Sequence, residues 1–419
     1  MDLDLIKHII VTNRNSVCNI KLVKRNFDFD NSLNYVLVGV RQAGKSFLLY
    51  QIIQEIVSQG VDIKSIVLIN FDDERLAEIT AQDLNSIIEA HYQMTDVKPI
   101  FFLDEIQNVK YWEKFARRLA NEKYHVFVTG SNAKMLSNEV ATTLGGRYLQ
   151  KFIYPYSFSE YLNAINFKFI DSWQYDNIFL SKLKREFQSY FYFGGFPELV
   201  NTNLKREWLS GLFQKIFLGD IISRYHIKND DILKILLKKL AESTMQPTSY
   251  SRLANLITST GRKIQTNTII DYLKFSEDSW LIFSIQNFCA KLSERESSKK
   301  YYFRDNGIIN LFLFNSDTIL LENLVAIHLK RLYNDDLYFF RQNIEIDFYL
   351  PENGKLIQVS YKIQDDKTFN REIMALIKGA KFLNVNDLTI ITYDDEQQII
   401  QHDNYTIKIL PYWKFCLIN

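Results

Sequence analysis

Residues 35–46 read YVLVGVRQAGKS, and this stretch decides the fold of the N-terminal region. The apolar run YVLV is strand-like, and the segment after it, SFLLYQIIQEIV, carries helical periodicity. Between them Gly39-Val40-Arg41-Gln42-Ala43-Gly44-Lys45-Ser46 satisfies G-x-x-x-x-G-K-[ST] at every fixed position. A strand, a glycine loop and a helix in that order form a cradle for phosphate. Gly39 and Gly44 let the backbone curl, so that the amides of Arg41, Gln42, Ala43 and Gly44 and the helix N-terminus face an anion. Lys45 then reaches the β- and γ-phosphates, and Ser46 ligates Mg2+. The ligand class is ATP or a close nucleoside triphosphate, as its Mg2+ complex. A chance glycine turn is the competing reading, and the strand on one side with the helix on the other speaks against it.

Working outward, SIVLINF at 65–71, PIFFLDE at 99–105 and HVFVTG at 125–130 continue the rhythm of short apolar runs alternating with helical stretches. That rhythm predicts a parallel sheet with crossover helices. The run ending in Asp104-Glu105 supplies a second half for the phosphate site. Asp104 holds Mg2+ through water, and Glu105 polarises the attacking water. Adjacent acids there favour hydrolysis over kinase chemistry, which must keep water away. The next strand runs into Ser131 and Asn132, where one polar side chain is a candidate sensor of the γ-phosphate; Asn132 reads equally as the cap of a short helix. Gly146-Arg147 precedes a further strand-like run, and Arg147 reads either as a finger on a neighbouring subunit's nucleotide or as a surface arginine. Arg224, in GDIISRYHIKN, is a weaker sensor candidate.

Length and composition bound the rest. A chain of 419 residues exceeds one core, so several domains are expected. Fifty basic against forty-nine acidic residues exclude a global field that would draw it to nucleic acid or anionic membrane. Three scattered cysteines argue against a disulfide framework and suit a reducing cytoplasm, and no apolar run is long enough to span a bilayer. The histidines, among them His8, His91 and His226, show no metal-ligand spacing. Beyond residue 157 helical segments predict a lid. Helices over 231–278 followed by WLIFSI and YYFRD suggest a winged helix, and the last hundred residues mix helices and strands as a separate α/β domain.

With GVRQAGKS, LINFDDERL, FFLDEIQNV, TGSNAKML, LGGRYLQ, YPYSFSEYL, GGFPELV, YYFRDNG, LENLV, IEIDFYL and ILPYWKF in place along nearly its whole length, the chain resembles a bacterial and archaeal AAA-type ATPase family. Its members carry a C-terminal domain of unknown function with a restriction-endonuclease-like fold. The resemblance implies a P-loop AAA-type core over 1–155, a helical lid over 156–228, a winged helix over 229–306 and a nuclease-like α/β domain over 307–419.

Nucleases of that fold gather an acid from a helix, an aspartate from one strand and an (E/Q)-x-K pair from the next. Here Glu322 and Asp347 match, with Glu345 on the same strand face, but Gln358 stands for the acid and Ser360 for the lysine. Lys362, two residues on, is the one available rescue by strand alternation. The damaged pattern leaves a non-catalytic scaffold and an ATP-gated metal-dependent nuclease as alternatives. The winged helix puts Thr266, Asn267 and Thr268 at the start of a recognition helix, with Lys291, Arg295, Lys299, Lys300 and Arg304 around the wing. Those residues suit DNA phosphates, or else a solvated interaction module. The expected function is an ATP hydrolase acting as a nucleotide-gated switch with DNA association. A non-hydrolysing ATP-bound module that docks a protein partner through its last domain is the third reading, and Arg147 in trans implies an oligomer.

Overall fold

The apolar runs of the N-terminal region lie in a five-stranded, wholly parallel sheet of order β2-β3-β4-β1-β5. Its elements in chain order are α1 (Leu3–Asn19), β1 (Asn34–Val38), α2 (Lys45–Ser58), β2 (Ile66–Asn70), α3 (Asn85–Met94), β3 (Ile100–Asp104), α4 (Trp112–Asn121), β4 (His125–Gly130), α5 (Asn138–Leu144) and β5 (Tyr148–Phe152). A computed structural model describes residues 2–131, 135, 138–363 and 366–418. Strands β1 to β4 are buried along nearly every residue, as expected where helices cover both faces of a parallel sheet. Tyr35, Leu37, Leu49, Ile52, Phe102 and Phe127 form its packed interior. The exposed flank of β2 is closed by α1, whose Arg14 guanidinium donates to Ile66 and Lys64 carbonyls and whose Asn13 amide donates to Leu68. Such cover satisfies the free carbonyls of an edge strand.

Strand order fixes the site. Because β4 lies between β3 and β1, the residues ending β4 stand between the acids ending β3 and the loop leaving β1. All strand C-termini of a parallel sheet point the same way, so loop, acids and β4 terminus meet at one edge.

Two compact units divide the chain, Met1–Pro155 and Tyr156–Asn419. In the second, helices α6 (Phe158–Ala164), α7 (Asn177–Phe193), α8 (Lys205–Gln214), α9 (Asp230–Glu242), α10 (Tyr250–Thr258), α11 (Thr266–Asp278), α12 (Leu292–Ser297), α13 (Asn306–Asn310), α14 (Asp317–Tyr333), α15 (Asp366–Leu383) and α16 (Tyr412–Ile418) surround a nine-stranded mixed sheet. A π-helical stretch, Lys215–Ser223, follows α8 without a break. Its strands are β6 (Thr248–Ser249), β7 (Ile282–Asn287), β8 (Ser298–Phe303), β9 (Tyr338–Arg341), β10 (Glu345–Leu350), β11 (Lys355–Val359), β12 (Asp387–Thr392), β13 (Gln398–His402) and β14 (Tyr405–Pro411). They run in the order β13-β14-β12-β11-β10-β9-β7-β8-β6. The β7–β8 hairpin, expected as the wing of a separate domain ending at residue 306, therefore belongs to the same sheet as the last hundred residues, joined by parallel pairing of β7 with β9.

Several of the sequence fragments owe their residue types to buried polar scaffolding. Asp305 caps α13 through the amides of Gly307 and Ile308 and accepts a third hydrogen bond from Gly195 of the GGFP turn. Burial pushes its carboxyl up to about 6 against those three donors. Asn306 donates to the carbonyls of Phe191 and Leu320, and Asn323 exchanges hydrogen bonds with the Phe303 backbone. Ser157 and Glu160 close a capping box at the start of α6.

Candidate nucleotide-binding site

At the end of β1 the chain turns at Gly39, where a Cβ would come within 2.2 Å of the Ile153 carbonyl oxygen. Only glycine fits that approach. The loop closes at Gly44, whose left-handed backbone (φ 92°) begins α2 with no side-chain cap. The first-turn amides of α2 are therefore left without a side-chain acceptor, which is what an anion-binding helix terminus requires. Lys45 is buried, with Nζ 3.3 Å from the carbonyl oxygens of Gly39 and Val40 and 3.5 Å from Glu105 Oε1. Burial pulls the ammonium's pKa down, and Glu105 and Asp104 pull against that.

Asp104, fully buried at the end of β3, accepts a hydrogen bond from the Thr129 hydroxyl at Oδ1, while its Oδ2 has no hydrogen-bond partner among the described residues. Burial raises its pKa, opposed by the neighbouring hydroxyls of Ser46 and Thr129. A buried carboxylate oxygen left open beside a hydroxyl is costly unless a cation or water completes it. This donor set fits Mg2+, which takes few protein ligands and keeps its phosphates and waters. Among the described residues no group of three or more His, Cys, Asp or Glu is placed to hold a metal ion.

Glu105 sits in the left-handed region at φ 50°, which turns its carboxylate away from the strand axis and back toward Lys45. Its backbone N–H donates to Thr129 Oγ1 at 2.9 Å, and Ser131 Oγ donates to its Oε2 at 3.0 Å. Gln107 Nε2 donates to the same oxygen. Burial pushes the Glu105 carboxyl up, but Lys45, Gln107 and Ser131 more than offset it, so it lies below its ordinary range and is ionised. Arg41, in the loop, adds a smaller pull in the same direction. Of the two sensor candidates, Ser131 touches the acid and Asn132 lies outside the described residues.

Sequence reasoning missed three residues here. Thr129 and Gln107 left a faint trace, as polar residues just after an apolar strand and an acid pair. Arg25 left none. Its buried guanidinium donates to the Ala43 carbonyl of the loop at 2.9 Å and to the Tyr154 carbonyl at 2.8 Å. Its backbone exchanges hydrogen bonds with the Gln51 side chain of α2, so one residue ties the loop, its helix and the segment after β5 together.

With that geometry established, comparison with known proteins is direct. Residues 31–162 match an AAA domain, and residues 184–318 match a domain of unknown function, DUF8612. An uncharacterised protein of Methanocaldococcus jannaschii is 35% identical over 99% of this chain and 95% of its own length. The chain belongs to this AAA-domain family. A further uncharacterised relative, from Haemophilus influenzae, is 32% identical over 80% of this chain and 84% of its own. Among solved structures, a Walker-type ATPase of Pyrococcus abyssi is similar at 13% identity, with 71% of this chain and 99% of that chain covered and a TM-score of 0.44. The Aeropyrum pernix Orc1 protein, solved in complex with DNA, covers 78% and 93% at 11% identity and a TM-score of 0.29.

In this AAA-domain protein the remaining candidates separate sharply. Arg147 precedes β5, at the N-terminal end of the parallel sheet, and its guanidinium donates to the Gly145 and Leu144 carbonyls. It stands at the opposite edge from the phosphate loop, away from Lys45 and Glu105 of its own sheet. Arg224 pairs with Asp220 at 2.9 Å. Of the five wing cations, Arg295 donates to the Ala290 and Phe288 carbonyls, Lys299 pairs with Glu296, Lys300 is fully buried and Arg304 lies over the rings of Trp280 and Phe283. Lys291 alone among them is exposed. The wing offers little to a phosphate backbone, although Asn267 on α11 is exposed. Among the described residues no helix is long and apolar enough to cross a membrane.

Proposed function

We propose that this protein is a Mg2+-dependent ATP hydrolase that works as a nucleotide-gated switch, with Lys45, Asp104 and Glu105 at its centre. The observation that carries the reading is the 3.5 Å pair between buried Lys45 and Glu105 at the mouth of an uncapped helix, beside the open Oδ2 of Asp104. Phosphate oxygens compete with Glu105 for Lys45. ATP bound along the loop draws the ammonium onto its β- and γ-phosphates and releases Glu105 toward water. Ser131 and Gln107 keep the freed carboxylate aimed, and loss of the Lys45 charge that held its pKa down makes it the stronger base for a proton from water. Ser46 and Asp104 are the residues that would hold Mg2+, which supplies charge neutralisation of the phosphoryl oxygens. When the γ-phosphate leaves, the Lys45–Glu105 pair re-forms, and Ser131 and Thr129 report the change along β4. Arg147 acting in trans belongs to the same proposal, as does DNA association through α11.

Phosphate release by the full chain with ATP, with and without Mg2+, tests the proposal. Turnover should require Mg2+ and fall by at least about 100-fold in Asp104→Ala. ATP binding without turnover at any protein concentration would instead favour the interaction module.

A further inference from the structure

The second sheet carries a buried cluster that the sequence placed only in part. Glu322 of α14 and Glu345 and Asp347 of β10 converge, and their common neighbour is Lys300 of β8. Lys300 is wholly inaccessible, with Nζ 3.1 Å from Glu345 Oε1, 3.3 Å from Asp347 Oδ1 and 3.4 Å from Glu322 Oε1. Lys362, the expected rescue, is exposed and among the described residues makes no hydrogen bond or ion pair with these acids, while Ser360 Oγ donates to the Lys362 carbonyl.

The nuclease resemblance implies a divalent cation among Glu322, Asp347 and Gln358, and the residues present do not fit one. The centre of the carboxylates is taken by an ammonium. The other ligating atoms are engaged as well: Asp347 Oδ2 accepts from the Val359 amide, Gln358 Oε1 accepts from the Asp347 amide, and Glu322 Oε1 accepts from Tyr302 Oη at 2.8 Å. Arg341 adds a second cation 3.6 Å from Glu345. Among the described residues of this cluster, Glu322 Oε2 is buried without a partner. Alternation along β8 puts Lys300 and Tyr302 on one face, so strand geometry delivers both to the same helix-borne acid.

We infer that Lys300 is the resident cation of this centre, standing where the resemblance places a divalent ion. The cluster staples the β7–β8 hairpin to α14 and β10. That role matters because the β7–β9 ladder is short, Gln286–Tyr338 and Asn287–Phe339, extended by the Phe288 amide on the Phe339 carbonyl and by the Asn287 side chain on the Arg341 backbone. A divalent ion enters only if the ammonium leaves, and the cluster performs no metal-dependent phosphodiester cleavage.

Mn2+ titration of the nucleotide-free full chain, followed by the electron paramagnetic resonance of free Mn2+, tests this. Asp347→Asn should leave the wild-type binding curve unchanged. Lys300→Ser should gain one site about tenfold or more tighter than any in the wild type, and Lys300→Ser/Asp347→Asn should lose it. Wild-type Mn2+ binding or Mn2+-dependent nucleic-acid cleavage that Asp347→Asn abolishes would overturn the inference. A folded Lys300→Ser protein that gains no site would overturn it too. If Asp347→Asn fails to fold, Glu345→Gln, at a partly exposed side chain, repeats the wild-type comparison.

Discussion

The two sheets each set a buried lysine against a group of carboxylates, yet the two clusters are built for opposite ends. At the edge of the parallel sheet, Lys45 sits on a glycine loop, makes one ion pair at 3.5 Å, and lies beside an uncapped helix and an unpartnered carboxylate oxygen. In the mixed sheet, Lys300 sits on a strand and meets three carboxylates at 3.1–3.4 Å, with Tyr302 and backbone amides filling most remaining acceptor positions. A lysine with a single carboxylate partner, otherwise held only by the loop carbonyls of Gly39 and Val40, can exchange that partner for a ligand. A lysine enclosed on all sides is part of the core. The difference lies in the backbone that carries each residue rather than in the residue types.

Substitutions at Lys45, Lys300, Arg25 and Glu322, and a change of pH, press on that contrast. The largest effect is expected from Lys45→Ala, which should lower kcat/KM for ATP by about 1000-fold while the unfolding midpoint moves little, because the pair it breaks is an exchangeable one. Lys300→Met should do the reverse. Removing one partner from a fully buried cluster strands uncompensated charge, so stability measured by urea unfolding should fall by roughly 3–5 kcal/mol. Arg25→Ala should raise KM for ATP about tenfold with a smaller change in kcat, since the guanidinium positions the loop without touching the reacting atoms. Arg25→Lys should recover only part, lacking the fork that spans both carbonyls.

The smallest effect concerns pH. Burial pushes the Glu322 carboxyl up to about 7 despite the opposing charge of Lys300. In the unfolded chain the same group titrates near ~4.3. A group whose folded pKa is raised contributes stability that is complete below the unfolded value and lost as pH rises through the folded one. The unfolding midpoint should therefore decline between those values, and Glu322→Gln should flatten the decline.

The parallel sheet was legible because its strands are continuous apolar runs and its loop matches a fixed pattern of glycines and lysine. Asp104 and Glu105 were legible for the same reason, as acids ending a buried strand. Arg25 was not, because its role depends on the loop and the segment after β5 meeting in space, and no local spacing announces it. Lys300 was misread. Its position in SERESSKK suggested a solvated wing, whereas the run YYF that follows is buried throughout and carries the strand's buried character back to Lys300. Hairpin and sheet belong to one element, and only the long-range pairing of β7 with β9 reveals it.

The most direct test is to measure Mg2+-ATP affinity and turnover on the same Glu105→Gln protein. If, as proposed, Glu105 competes with phosphate for Lys45 in the free state and handles water in the bound one, affinity should hold or rise while turnover drops by at least about 100-fold. Turnover at the wild-type rate, or affinity and turnover lost together, would contradict the account.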